Sequence, residues 1–101
     1  MGITFKSYES AGVSSQTTIL TGTAGKETIA IGMTVANTTS ADITVDVKLN
    51  ATYLVKQASV PTGTAFVPIG GDQKVVVEAG DTIKVTASGS SDVVLSVLER
   101  S

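Results

Sequence analysis

The segment Ile43-Thr44-Val45-Asp46-Val47-Lys48-Leu49-Asn50 alternates apolar and polar residues without a break. A period of two puts Ile43, Val45, Val47 and Leu49 on one face of a strand, and Thr44, Asp46, Lys48 and Asn50 on the other. One face carries charge and the other carries none, so this strand belongs in a sheet buried on one side and wet on the other. Antiparallel sheets packed on a second layer have that pattern. A chain of 101 residues holds one such domain.

The remainder of the chain is written in the same grammar. Lys74–Val77, Thr82–Ala87 and Val93–Leu98 are β-rich runs. They are cut off by Gly70-Gly71-Asp72, Glu78-Ala79-Gly80-Asp81 and Ser88-Gly89-Ser90-Ser91-Asp92, which are turn residues. Upstream, Ile3–Tyr8, Thr17–Leu20 and Glu27–Ala36 are extended runs, and Ser10–Ser15 around Gly12 reads as a loop. Plain alternation along Glu27–Ala36 places Ile29, Ile31, Met33 and Val35 on one face, with Gly32 a candidate bulge or close backbone approach. Tyr53–Val55 follows a tight turn at Asn50–Thr52, Val60-Pro61-Thr62-Gly63-Thr64 reads as a type II turn, and Pro68 confines Ala65–Ile69 to an edge or a bend. No window sustains a 3.6-residue period. The expectation is an all-β, antiparallel two-sheet sandwich of seven to eight strands, jelly-roll or immunoglobulin-like, with strand order left open.

Composition narrows the chemistry. Histidine and cysteine are both absent. The usual neutral-pH base, the thiolate nucleophile, disulfides and the preferred zinc ligands are therefore missing, and no enzyme, cofactor or metal is expected. Net charge is −2 with no Lys/Arg cluster, so no nucleic-acid partner is expected. No apolar run approaches the length of a membrane helix, and Met1–Lys6 has no signal-peptide pattern, so no membrane partner is expected either. Asp72, Glu78, Asp81 and Asp92 lie in or beside turns. They could form a calcium cage if the turns converged, but the preference of Asp for turns explains them without a metal. Tyr53 and Phe66 could stack on a sugar; core packing is the simpler reading for both.

The order of motifs carries a resemblance. A Thr23-Ala24-Gly25-Lys26 turn leads into a strand ending Val35-Ala36-Asn37-Thr38-Thr39. Ile43–Leu49, Val60-Pro61-Thr62-Gly63, Gly70–Asp81 and the strand Val93–Glu99 follow. Over Thr17–Glu99 the chain resembles the small all-β virion structural proteins of tailed bacteriophages, including phages of cyanobacteria. The resemblance implies a virion protein made in the host cytoplasm. It would be a capsid-decorating or cement subunit, or a head–tail joining subunit, that binds other virion proteins, capsid or tail, and forms a homo-oligomer. The alternative is a tail-fibre or receptor- or carbohydrate-binding module.

Residues 1–16 lie outside that stretch, and 17–101 make up the expected sandwich domain. Ile3–Tyr8 is either the first strand of the sandwich or an arm that pairs with a neighbour's open edge. In the arm reading Ile3, Phe5 and Tyr8 are the candidate partner-binding residues.

Overall fold

The computed structural model describes residues 3–69 and 74–100; the Gly70-Gly71-Asp72 punctuator, and with it Asp72, lies outside them. Every β-rich run named above forms a strand. They are β1 Ile3–Val13, β2 Thr17–Thr21, β3 Glu27–Asn37, β4 Ile43–Leu49, β5 Thr52–Val60, β6 Ala65–Ile69, β7 Val75–Val77, β8 Thr82–Ala87 and β9 Ser91–Arg100. The first sheet has the order β1-β9-β3-β6, with β7 also on β3, and the second has the order β2-β8-β4-β5. All pairings are antiparallel.

Strand order resolves the open alternative. β4 pairs β5, β3 pairs β6 and β7, β2 pairs β8, and β1 pairs β9. The chain is thus one long hairpin folded at the β4–β5 turn. Wrapping it so that β9 meets β3 and β8 meets β4 divides it into two sheets. That is a jelly roll. Nine strands are described where seven to eight were expected. β6 lies along Met33–Ala36 and β7 along Thr28–Ala30 of β3, so the two share one edge position, leaving eight positions in the roll.

The core lies between the sheets and is aliphatic. Val45 and Val47 of β4 are fully buried, as are Ile83 and Val85 of β8 and Leu95 and Val97 of β9. Thr44 is exposed and Asp46 and Lys48 half-exposed, as the alternation of β4 requires. The turns use backbone chemistry. Asp81 N–H donates to Glu78 O at 2.9 Å, Gly80 takes φ +85°, and the Asp81 carboxylate accepts from Glu78 N–H at 3.1 Å. A side chain at Gly80 would have space but would be strained by that φ.

Three local readings need correcting. First, β1 runs to Val13 rather than ending at Tyr8. A bulge between Ser10 and Val13 absorbs Gly12 at φ +68°, and Asp92 Oδ1 accepts the Gly12 N–H at 3.1 Å. Second, β5 extends to Val60. Gln57 takes φ +54° opposite Asp46, whose Oδ1 accepts the Gln57 N–H at 2.6 Å. Third, and of most consequence, Ile29 and Ile31 do not share the core face with Met33 and Val35. The register shifts between Ala30 and Gly32, so Ile31 is an extra residue in the ladder. One inserted residue reverses the parity of a strand. Thr28 and Ala30 therefore point inward ahead of the bulge, Met33 and Val35 after it, and Ile29 faces out.

Asn37, at the end of β3, is a buried polar side chain with every bond made. Its Nδ2 donates to Val60 O at 2.9 Å and to Ala41 O at 2.8 Å, and its Oδ1 accepts from Thr39 N–H and Oγ1–H. Asn37→Ala strands the buried Val60 carbonyl and frees the β3–β4 turn. The expected cost is about 2 kcal/mol, read as a lower denaturant midpoint at unchanged slope.

Candidate functional site

The two outer faces of the sandwich differ. On the second sheet, cross-strand neighbours facing away from the core are Thr18 with Lys84, Lys84 with Lys48, and Asp46 with Thr86. Tyr53, opposite Lys48, is flanked by the ammonium groups of Lys48 and Lys56 at 4.8 and 5.0 Å from its ring centroid. That face is polar and charged.

The outer face of the first sheet has charged residues too, but among them runs an apolar row. Phe5 of β1 lies opposite Leu98 of β9, Leu98 opposite Ile29 of β3, and Ile29 opposite Val76 of β7. These four side chains form an apolar row across the outside of the sheet. Phe5 is 71% and Val76 59% exposed. Ile3, Val67 and Val94, also exposed, lie on the same face, so Tyr53 is the one exposed large apolar residue outside it among the described residues. Scattered apolar residues on a surface need no explanation, but a row in register does.

The edges of the sandwich differ in the same way. β2 is short and bulged, β5 shifts register twice, and β6 and β7 split one edge between them. Each of those edges is blunted against pairing. β1 keeps an unbroken register with β9 from Ile3 to Ser10. The long regular edge therefore borders the apolar face.

Of the three residues singled out in the sequence, the structure brings two together. Ile3 and Phe5 point outward on β1. Tyr8, opposite the buried Leu95, points inward and packs against the core. Leu98, Ile29 and Val76 were not anticipated. Val76 has a sequence signal, as the middle of a Val-Val-Val run whose neighbours point inward.

Beneath β1, on the inner side, Glu99 is buried and holds two ammonium groups, Lys6 Nζ at 3.0 Å and Lys26 Nζ at 3.3 Å. The Lys6 hydrogen bond keeps the Glu99 carboxyl below the usual carboxylate range; burial opposes this and Lys26 adds to it. The same hydrogen bond raises Lys6 above the usual lysine value. A carboxyl more acidic when folded contributes stability above its unfolded pKa and loses it as pH falls through the folded value. The raised Lys6 contributes below its unfolded pKa and is lost as pH rises through the folded one. Acidification below about pH 4.3 is therefore expected to lower the melting temperature, and Glu99→Gln to flatten that acid limb. Parallel acid limbs in the two proteins would contradict the assignment.

Among the described residues the turn carboxylates do not converge. Asp81 bonds Glu78 and Asn50 at one end of β8, and Asp92 bonds Gly12 beyond the other. Among the described residues no group of three or more acidic side chains is placed to hold a metal ion. Tyr53 and Phe66 do not form a stacking pair: Phe66 packs against the core while Tyr53 lies outside under its lysines.

No family model matches the chain, and no curated protein matches it. Among solved structures it is similar to one from Bacillus endospore appendages, described as a novel family of disulfide-linked pili. The TM-score is 0.56 at 14% identity, over 98% of this chain and 85% of that one. The likeness is one of fold.

Proposed function

We propose that this chain is a non-enzymatic structural subunit that acts by binding neighbouring protein subunits through the outer face of its first sheet. The observation that carries the proposal is the Phe5–Leu98–Ile29–Val76 row, set beside the unblunted β1 edge and opposite a polar second face. A sandwich with a row of large apolar side chains on one outside face and none on the other is suited to be covered on that one side. The family resemblance supplies the setting: a virion of a tailed bacteriophage, with this chain as a decorating, cement or head–tail joining subunit. The structural likeness to an appendage subunit supports an assembly role in general. Disulfide linkage has no counterpart here, because the chain has no cysteine. The carbohydrate-binding alternative has two exposed rings on opposite outer faces, Phe5 and Tyr53, and Tyr53 is already engaged by two lysines.

Particles purified from cells producing the encoding phage are expected to contain the chain in fixed proportion to the capsid protein. Phe5→Asp changes an exposed side chain and should alter stability by only about 0.5 kcal/mol, yet it should be lost from those particles. Incorporation of the variant at the wild-type level would contradict the contact face, and absence of the wild-type chain would contradict the virion setting.

A further inference from the structure

The outer face of the second sheet is crossed by one row in register: Thr18 of β2, Lys84 of β8, Lys48 of β4 and Tyr53 of β5. Lys56 joins it from further along β5, its ammonium group 5.0 Å from the centre of the Tyr53 ring, with that of Lys48 at 4.8 Å. Three cations thus gather on one face of a chain whose net charge is −2. Off this face, Lys6 and Lys26 hold Glu99, and Arg100 holds Glu27. On it, Lys48, Lys56 and Lys84 have no carboxylate partner among the described residues. Asp46 shares the face, but its carboxylate accepts the Gln57 N–H at 2.6 Å. Lys84 and Lys48 lie directly opposite one another. Like charges in that position weaken a sheet, and an anion laid between them reverses the sign.

We infer that this row is a binding site for an acidic polysaccharide lying across the strands. Its anionic groups meet Lys84, Lys48 and Lys56, and its hydroxyls meet Thr18 and Thr86, which also point outward. No cavity opens on this face among the described residues, so the ligand is an extended chain rather than a small anion in a pocket. Cations on successive strands stand about 4.8 Å apart, close to one acidic group per sugar ring. An extended acidic peptide carries its same-side carboxylates about 7 Å apart and falls out of step. A nucleic-acid duplex needs a broader basic face than three lysines with Asp46 beside them. An anionic membrane finds little to hold, because Tyr53 is the one exposed large apolar side chain on this face among the described residues. An ammonium group has three donors on a flexible stem, so Lys48 and Lys56 keep donors for the ligand while resting by the ring. The lysines that keep a neutral sugar off Tyr53 are the groups an acidic sugar engages.

Exposed ion pairs are individually weak. One copy therefore binds loosely, and an array of copies with this face outward binds tightly. The site lies on the face left open by the proposed contact and does not depend on that contact.

Biolayer interferometry of the full chain on immobilised polygalacturonate tests the inference. Binding is expected at about 20 mM salt, at least about tenfold weaker at about 0.5 M, and absent on neutral dextran. Lys84→Gln removes one charge and the like-charge pair with it. It should weaken binding about fivefold while the melting temperature holds or rises. The triple variant Lys48→Gln, Lys56→Gln, Lys84→Gln should not bind. Arg100→Gln, an equal change of charge on the other face, should bind as wild type. Melting temperatures establish that each variant is folded, and Lys84→Gln alone decides if the triple variant is not. Absence of binding at low salt overturns the inference, as does Lys84→Gln binding as wild type or Arg100→Gln weakening binding as much as Lys84→Gln. Equal or tighter binding to polyglutamate, duplex DNA or phosphatidylglycerol vesicles also overturns it, by making the face a general polyanion surface or the site of that other partner.

Discussion

Val47→Asp is expected to leave the chain largely unfolded at room temperature. Val47 is fully buried on β4, opposite Val55 on one side and Val85 on the other. The change removes the burial of a valine, about 2 kcal/mol, and puts a carboxylate where no donor or cation faces it. Burying an unpaired charge is among the few mechanisms that exceed 4 kcal/mol. A domain of this size has about 5–15 kcal/mol in total, so most of the margin goes. The adjacent Lys48→Ser gives the contrast. Lys48 loses only its position over the Tyr53 ring, worth about 0.5–1 kcal/mol, and the melting temperature should fall by about 5 °C or less. Thermal melts of the two variants check this; equal effects would contradict the face assignment of β4.

Gly22→Ala is the second large effect. A Cβ at Gly22 would overlap the Glu78 carbonyl. The backbones meet there because Gly22 N–H donates to Asp81 O at 2.8 Å and Gly80 N–H to Gly22 O at 3.0 Å. The obstruction is main chain, so no rotamer change relieves it, and a cost of about 3 kcal/mol is expected. At Gly25, where nothing lies near a Cβ and φ is +79°, alanine should cost only about 1 kcal/mol. Denaturant titration of the two alanine variants separates steric overlap from backbone strain. Equal losses would mean that the β2–β3 connection does not approach the β7–β8 turn.

Much of this architecture was legible because its signals are local. Ile43–Asn50 alternates without interruption, and Ile43, Val45 and Val47 are buried as it requires, with Leu49 half-buried against the same core. Glycines at turn positions marked where strands end. Long-range features left no such trace. The nested pairing that makes a jelly roll depends on contacts between distant segments, and the role of Gly22 depends on a main chain 56 residues away. The apolar row was hidden for a more specific reason. Plain alternation assigns Ile29 to the core with Met33, but the extra residue at the Ile31–Gly32 bulge reverses that assignment. Without the bulge there is no continuous row from Phe5 to Val76. Gly32 hinted at irregularity but could not say which side of it faced in.

The most direct test of the proposed assembly role is a cryo-electron-microscopy map of intact particles of the proposed encoding phage. The expected result is ordered copies whose first sheet, with Phe5, Leu98, Ile29 and Val76, is covered by protein, while the second sheet, with Lys48, Lys84 and Tyr53, faces solvent. Copies with the first sheet open to solvent throughout would contradict it.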